Sequence, residues 1–204
     1  MSESNNELSE NSVDKDPFIQ FSGWFKERDV PPNEEPGTSV LATSNILGRP
    51  SVRVVLVKEF NSDGFIFYTN YGSRKAIQIS ENPYGALLFY WLDMHREVRI
   101  EGRIEKVSDL MSAGYFSKRN RESQLSAWAS EQSKTIPDRK YLDARLEIYR
   151  ENFRDKPVPR PPWWGGFILI PSYFEFWQEG KNRLHDRISY YLYDGGWNVE
   201  RLAP

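Results

Sequence analysis

Three basic clusters carry the chemistry that this sequence can do. The most pointed is NRLHDRI, in which Arg183, His185 and Arg187 occupy alternating positions just after the apolar run FEFW. Alternate residues of a strand share one face. Three such groups gathered on one face repel one another unless an anion or an electron-rich ligand sits among them. The plain alternative is an exposed strand face balanced by Asp186 and Glu179. The second cluster is Ser73, Arg74 and Lys75 at the start of a predicted helix. Free backbone N–H groups, the positive end of the helix dipole and two cations make a phosphate site there. An ordinary capped helix is the alternative, and cations disfavour that end of it. The third runs from Arg53 to Lys58 in RVVLVK. In isolation it reads as a strand with solvated charged ends. Residues five apart on an unbroken strand point to opposite faces, so Arg53 and Lys58 serve one pocket only if a bulge intervenes or the ligand wraps an edge.

Other chemistries lack their residues. There is no cysteine, which excludes disulfides and thiolate catalysis. His95 and His185 are far apart in sequence and no HExxH occurs, so no metal site is expected. GxSxG and Walker loops are missing, and with them support for a hydrolase or a kinase. Redox chemistry would need an organic cofactor, because no side chain here supplies it. The net charge of -2 gives no bias toward nucleic acid or an anionic membrane, and no apolar run is long enough to span one. The acidic, polar start MSESNNELSENSVDKD does not read as a signal or transit peptide, so the expected location is the cytoplasm.

The elements that must position these clusters are mostly strands. Residues 1–15 read as a disordered acidic tail, and residues 16–204 as one domain. Phe18, Phe21 and Phe25 mark a short helix. TSVLATS and SVRVVLVKEF flank the turn NILGRP as a hairpin, and FIFYTN, YGALLFYWL and HREVRIEGRIEKV are further strands. Helices are expected over SRKAIQISEN, SDLMSAGYFSKR, RESQLSAWASEQS and DRKYLDARLEIYREN, the last with a stripe of Leu142, Leu146, Tyr149 and Phe153. After the connector KPVPRPPWW come four short strands, GGFILI, YFEFWQE, RISYYLY and WNVERL. Strands without alternating helices, and no GxGxxG after any of them, predict a β-rich α+β fold: an antiparallel barrel with peripheral helices. An aromatic content of 15% suits such a core, an interface or a flat ligand.

The segments RPSVRVVLVK, FYTNYGSRKA, LLFYW, REVRIEG, YFSKRNRESQ, WASEQS, WWGGF, EFWQ, RLHDR and WNVERLAP, in this order, resemble the pyridoxamine 5'-phosphate oxidase family. The resemblance covers about Asp16 to Pro204. It implies an FMN-binding split barrel, a homodimer with two FMN sites at the subunit interface. It also implies oxidation of pyridoxine or pyridoxamine 5'-phosphate to pyridoxal 5'-phosphate, with O2 as acceptor and H2O2 as by-product. By resemblance, Arg53, Arg74 and Lys75 hold the FMN phosphate with Gln132 and Ser133. Val54, Val55, Leu56, Val57, Lys58, Tyr68, Thr69 and Ser73 line the cofactor, and Trp177 and Arg187 border its ring. Lys58, Tyr115, Arg119 and Ser123 clamp the substrate phosphate, the last three at helical spacing; Arg183 and His185 contact the substrate's ring and reacting carbon. Two positions depart from the family. Glu97 stands where Gln, a hydrogen-bond donor to the flavin, is usual, and Ser126 replaces a Gly. An ionised carboxylate at 97 cannot donate, so Arg96 or Arg99 must compensate, or Glu97 must be protonated or turned away. The rivals are a flavin oxidase of phenazine biosynthesis, whose substrates lack a phosphate, and a non-catalytic FMN- or pyridoxal-phosphate-binding module.

Overall fold

Alternation of apolar and polar residues builds the strands, and the computed structural model describes residues 7–32 and 34–204. The strands are β1 (Thr38–Ser44), β2 (Pro50–Asn61), β3 (Gly64–Asn70), β4 (Tyr84–Trp91), β5 (Arg96–Lys106), β6 (Trp164–Gln178), β7 (Asp186–Tyr193) and β8 (Gly196–Arg201). The helices are α1 (Pro17–Glu27), α2 (Arg74–Glu81), α3 (Asp109–Lys118), α4 (Arg121–Ala129) and α5 (Arg139–Asn152). All pairings are antiparallel, in the order β3-β2-β1-β4-β5-β6-β7-β8, and β3 also pairs with β6. That last pairing closes six strands into a barrel, from which β7 and β8 extend. The expected fold class is the observed one.

The barrel interior is aromatic. Phe21 of α1 plugs it, meeting Phe60, Phe65 and Phe89 at centroid distances of 4.9, 5.0 and 5.0 Å. Edge-to-face pairs of this kind add about 0.5–1.5 kcal/mol beyond area burial. A second cluster, with Phe116, Leu125, Val158 and Trp164 buried, attaches α3, α4 and α5 to the outside. Leu146, Tyr149 and Phe153 of the predicted stripe pack on it.

Three sequence expectations change. GGFILI and YFEFWQE are one strand, β6. Pro171 and Ser172 do not break it because β5 and β6 shift register between Glu101 and Gly102, opposite them. Pro lacks an N–H and is tolerated at such a bulge. Gly102 is required there, since a Cβ would lie 2.0 Å from the Ile170 carbonyl oxygen. The tail expected to be disordered to residue 15 packs against β7 and β8 from Glu7 on. Leu8 is buried, its N–H donates to Asp186, Arg201 donates to its carbonyl, and the Tyr190 hydroxyl donates to the Asp14 carbonyl at 2.6 Å. Residues 1–6 lie outside the described residues. Finally, β7 begins only at Asp186. Asn182 and Arg183 stand in left-handed backbone at φ 57° and 65°. Arg183 and His185 therefore do not alternate along a strand.

Candidate active site

A cleft of about 380 Å³ opens between β2, β3, α3 and α4. Its floor is aromatic. The Tyr68 and Tyr115 rings stack at 3.8 Å and 5°, and Trp164 lies 5.6 Å from Tyr68 at 9°. The Arg119 guanidinium sits 4.6 Å from the Trp164 ring. Burial pushes its pKa down, and its buried Nη1 has no hydrogen-bond partner. Burial, with Glu59 and Tyr115 nearby, pushes the Tyr68 hydroxyl up to about 12, so it stays protonated.

One end of the cleft is cationic. Ser73 caps α2 by accepting from the Ala76 N–H, which places Arg74 and Lys75 in the first turn. The Lys75 Nζ reaches Thr69 Oγ1 at 3.1 Å and Gln132 Oε1 at 3.3 Å. Burial, then the nearby Arg53 charge, pushes Lys75 down to about 8. Arg53 donates to the Leu41 carbonyl and Thr43 Oγ1 at 3.0 and 2.7 Å, and to Ser51. It too is lowered, by burial and by Arg74. Among the described residues, no carboxylate pairs with Arg53, Arg74, Lys75 or Arg119, and no Asp or Glu lines the cleft.

Lys58 lines the cleft on the outward face of β2 with Val54 and Leu56, and its Nζ pairs with Glu35 at 2.8 Å. Arg53 is outside the lining and points the other way, toward Leu41 and Thr43, as the strand rule expects of residues five apart. Val54, Leu56 and Val52 point outward, with Val52 and Val54 67% and 63% exposed, an apolar stripe beside the cleft. Val57 points into the core. Val55, Thr69, Tyr115 and Gln132 also line the cleft. Ser123 does not. The expected single helical face breaks at Arg119, which is extended (ψ 148°), because Asn120 caps a new helix by accepting from the Ser123 N–H. Ser133, in left-handed backbone, is likewise outside the lining. Asn70, Ala127, Ser130 and Trp164 line the cleft and were not singled out in the sequence, and Ser126, noted there only as replacing a Gly, lines it as well. The WWGGF segment was the signal for Trp164.

The remaining candidates form a second group. Glu97, Trp177 and Arg187 are lateral neighbours across β5, β6 and β7. Trp177 and Trp164 are at opposite ends of β6, roughly 40 Å apart along an extended strand. Within one chain the two groups do not meet. Here the charges are paired. Arg187 donates to Glu175 at 2.7 Å, Arg99 also pairs with Glu175, and the Tyr173 hydroxyl donates to it at 3.0 Å. Burial works to raise Glu175, but these hydrogen bonds outweigh it and hold the carboxyl low. Glu97 is raised, mainly by burial, and lies 3.3 Å from the Arg99 guanidinium. Arg96 faces elsewhere, toward Glu27 and the Trp24 ring. Arg183 is exposed and makes no hydrogen bond or ion pair among the described residues. His185 is half-buried against Trp177, with ring centroids 4.6 Å apart.

The pyridoxamine 5'-phosphate oxidase profile matches residues 28–152. The chain belongs to the pyridoxamine 5'-phosphate oxidase family. Residues 164–204 match the family's pyridoxine 5'-phosphate oxidase C-terminal dimerisation region, which supports a homodimer. Pyridoxine/pyridoxamine 5'-phosphate oxidases from Acidovorax sp. (strain JS42) and Acaryochloris marina are 50% and 46% identical, each aligning with 97% of this chain and with 91% and 90% of their own. The structure of PhzG from Burkholderia lata 383, in complex with tetrahydrophenazine-1-carboxylic acid, superposes at TM-score 0.89 with 27% identity, covering 98% of both chains. A pyridoxamine 5'-phosphate oxidase-related, FMN-binding protein from Nostoc punctiforme shares the fold at TM-score 0.65 and 19% identity, over 82% of this chain and 87% of its own. Both groups of side chains thus fall inside the family's matched segments, the cleft apart from Trp164 in the first and most of the paired cluster in the second.

Proposed function

We propose that this protein is an FMN-dependent oxidase that converts pyridoxine or pyridoxamine 5'-phosphate to pyridoxal 5'-phosphate. O2 is the electron acceptor and H2O2 the by-product. The observation that carries this reading is a carboxylate-free cleft with cations at two places and an aromatic floor between them. Lys75, with Arg53 and Arg74 beside it, suits the phosphate of FMN. Arg119, whose Nη1 has no hydrogen-bond partner, suits a second phosphate, that of the substrate, with Lys58 turning to it from its exposed pair with Glu35. The fit is chemical: half-buried cations that no carboxylate neutralises are stabilised by a dianion.

When bound, FMN supplies the two-electron acceptor for hydride from the substrate's C4' carbon and returns those electrons to O2. The chain's own work is to bind, orient and exclude water. Arg119 and Lys58 fix the phosphate, and Tyr115 and Tyr68 present flat faces to a flat ring. The Glu97, Trp177 and His185 group completes the site from a second copy of the chain. The outward stripe of Val52, Val54 and Leu56 gives that copy an apolar seat.

The test is anaerobic mixing of the purified protein with pyridoxine 5'-phosphate. A yellow protein that bleaches, then recolours in air with one H2O2 per product, supports the oxidase. A yellow protein that never bleaches is a binding module. Equal bleaching by an unphosphorylated ring substrate would favour a phenazine-type oxidase, the reading that the PhzG likeness keeps in view.

A further inference from the structure

Residues 179–185 join β6 to β7 in a loop held at both ends. The Glu179 N–H donates to the His95 carbonyl at 3.0 Å, and its carboxylate meets His95 Nδ1 at 2.6 Å. The Leu184 N–H donates to the Lys181 carbonyl at 3.0 Å. Between these ties, Asn182 and Arg183 are left-handed. Such backbone in non-glycine residues persists only where the surroundings impose it. Gly180 is the tightest point. A Cβ there would stand 1.9 Å from the Leu184 carbonyl oxygen and 3.2 Å from His185 Cα. Because that Cβ is absent, the two limbs of the loop close, and the Gly180 N–H donates to His185 Nδ1 at 3.2 Å. The Trp177 ring, 4.6 Å away and tilted 42°, holds the imidazole from one side.

We infer that Gly180 is a positioning residue that fixes His185 as the tautomer protonated on Nε2, so that His185 serves the reaction as a hydrogen-bond donor and not as its base. A backbone N–H can only donate, so the nitrogen that it faces must present a lone pair. In the neutral ring the proton is then on the other nitrogen. Nε2 carries a hydrogen and Nδ1 is engaged with the backbone, so neither nitrogen takes a proton from substrate while the loop is intact. The ligand atom facing Nε2 must be an acceptor, an oxygen or a ring nitrogen. That a ligand is there to accept rests on the oxidase reading; the tautomer is a property of the loop.

The chain has only two histidines, so the imidazole nitrogens can be read individually. The holoprotein is labelled with ¹⁵N-histidine and its two- and three-bond nitrogen–proton correlations are recorded at pH 8, above the usual range for histidine titration. The signals lost in His185→Gln are those of His185. The expected result is one tautomer, with Nδ1 unprotonated and Nε2 protonated. A protonated Nδ1, or averaged signals like those of free imidazole, overturns the inference. Gly180→Ala should move His185 toward averaged signals and slow anaerobic flavin reduction by about 10- to 100-fold, the usual result of misplacing a contact group, with FMN content retained. Unchanged His185 nitrogens in Gly180→Ala would overturn the role of Gly180. His185→Gln keeps a donor and should retain more of the reduction rate than His185→Glu; equal losses would overturn the donor role. A wild-type protein with the expected tautomer whose flavin no B6 phosphate bleaches would sink the oxidase reading and leave the tautomer assignment standing.

Discussion

In the cleft, Lys75, Arg119 and the adjoining Arg53 stand without a carboxylate; in the C-terminal cluster, Glu175 is gripped by Arg99, Arg187 and Tyr173. Both regions gather charge around aromatic rings, yet they leave it in opposite conditions. The cleft carries an unmet electrostatic demand, visible in the depressed Lys75 and in the idle Arg119 nitrogen. The cluster has met its demand internally, visible in the lowered Glu175 and raised Arg187. A region left unsatisfied is built to receive something. A region already neutralised is built to keep a shape, here the platform under Trp177 and His185. Substitutions should therefore separate the two, with losses of ligand in one and losses of stability in the other.

The largest expected effect is at Glu175. Glu175→Ala strands two cations that its buried carboxylate pairs, and should cost about 3 kcal/mol of unfolding free energy. Urea titration at neutral pH reads it. A variant as stable as wild type would show that the pairing does not hold the cluster together. Next is Arg119→Ala. Loss of one charge-assisted phosphate contact should raise the KM for pyridoxine 5'-phosphate by about 1.5–3 kcal/mol, or roughly 10- to 150-fold. Melting temperature and FMN content should stay near wild type, and a loss of flavin with normal KM would assign Arg119 to the other ligand.

Lys75→Met should divide the two properties within one residue. The folded pKa of Lys75 lies below that of an unfolded lysine, so the unfolded chain binds more protons between about 8 and 10.4, and stability rises with pH across that window. The burden is fully present below about pH 8 and relieved above 10.4. Apo Lys75→Met should melt above wild-type apoprotein at pH 7, with the gap closing toward pH 10.5, while its FMN affinity falls. A gap that is constant with pH would deny that Lys75 charge opposes folding. The smallest effect is at Glu97. Its carboxyl is raised on folding, so its ionised form opposes stability at neutral pH and the effect vanishes once acid protonates it in both states. Glu97→Gln should gain about 0.5 kcal/mol at pH 7 and little at pH 4, and should keep or raise activity. A loss of flavin affinity would instead make Glu97 a specific ionic contact.

Where the sequence was legible, one local rule governed the segment. Alternation placed β1 to β5, and Ser73 and Ser108 capped the helices expected of them. The misreadings fall where a single backbone position overrides a spacing rule. Tyr115, Arg119 and Ser123 are at helical intervals, but Asn120 caps a second helix and turns Ser123 away. Arg183 and His185 are at strand intervals, but Asn182 and Arg183 leave the extended region. Arg53 and Lys58 keep the strand rule and point to opposite faces, so only Lys58 lines the cleft. Bulges, caps and left-handed residues depend on what packs across from them, and no window of sequence contains that partner. The separation of the two groups by the length of β6 was equally hidden, since it required knowing that Pro171 does not interrupt the strand.

The packed segment from Glu7 onward has a mechanical consequence. Leu8 and Glu10 are tied to Arg201, and Leu8 to Asp186, so the two extremities of the fold meet on the outermost strands. A pull applied through residues 8 and 201 loads that clasp directly, before any strand of the barrel bears tension. In an optical trap the first rupture should be a short, low-force release of residues 8–15, followed by peeling of β8 from β7 one residue pair at a time. The aromatic barrel would give way last.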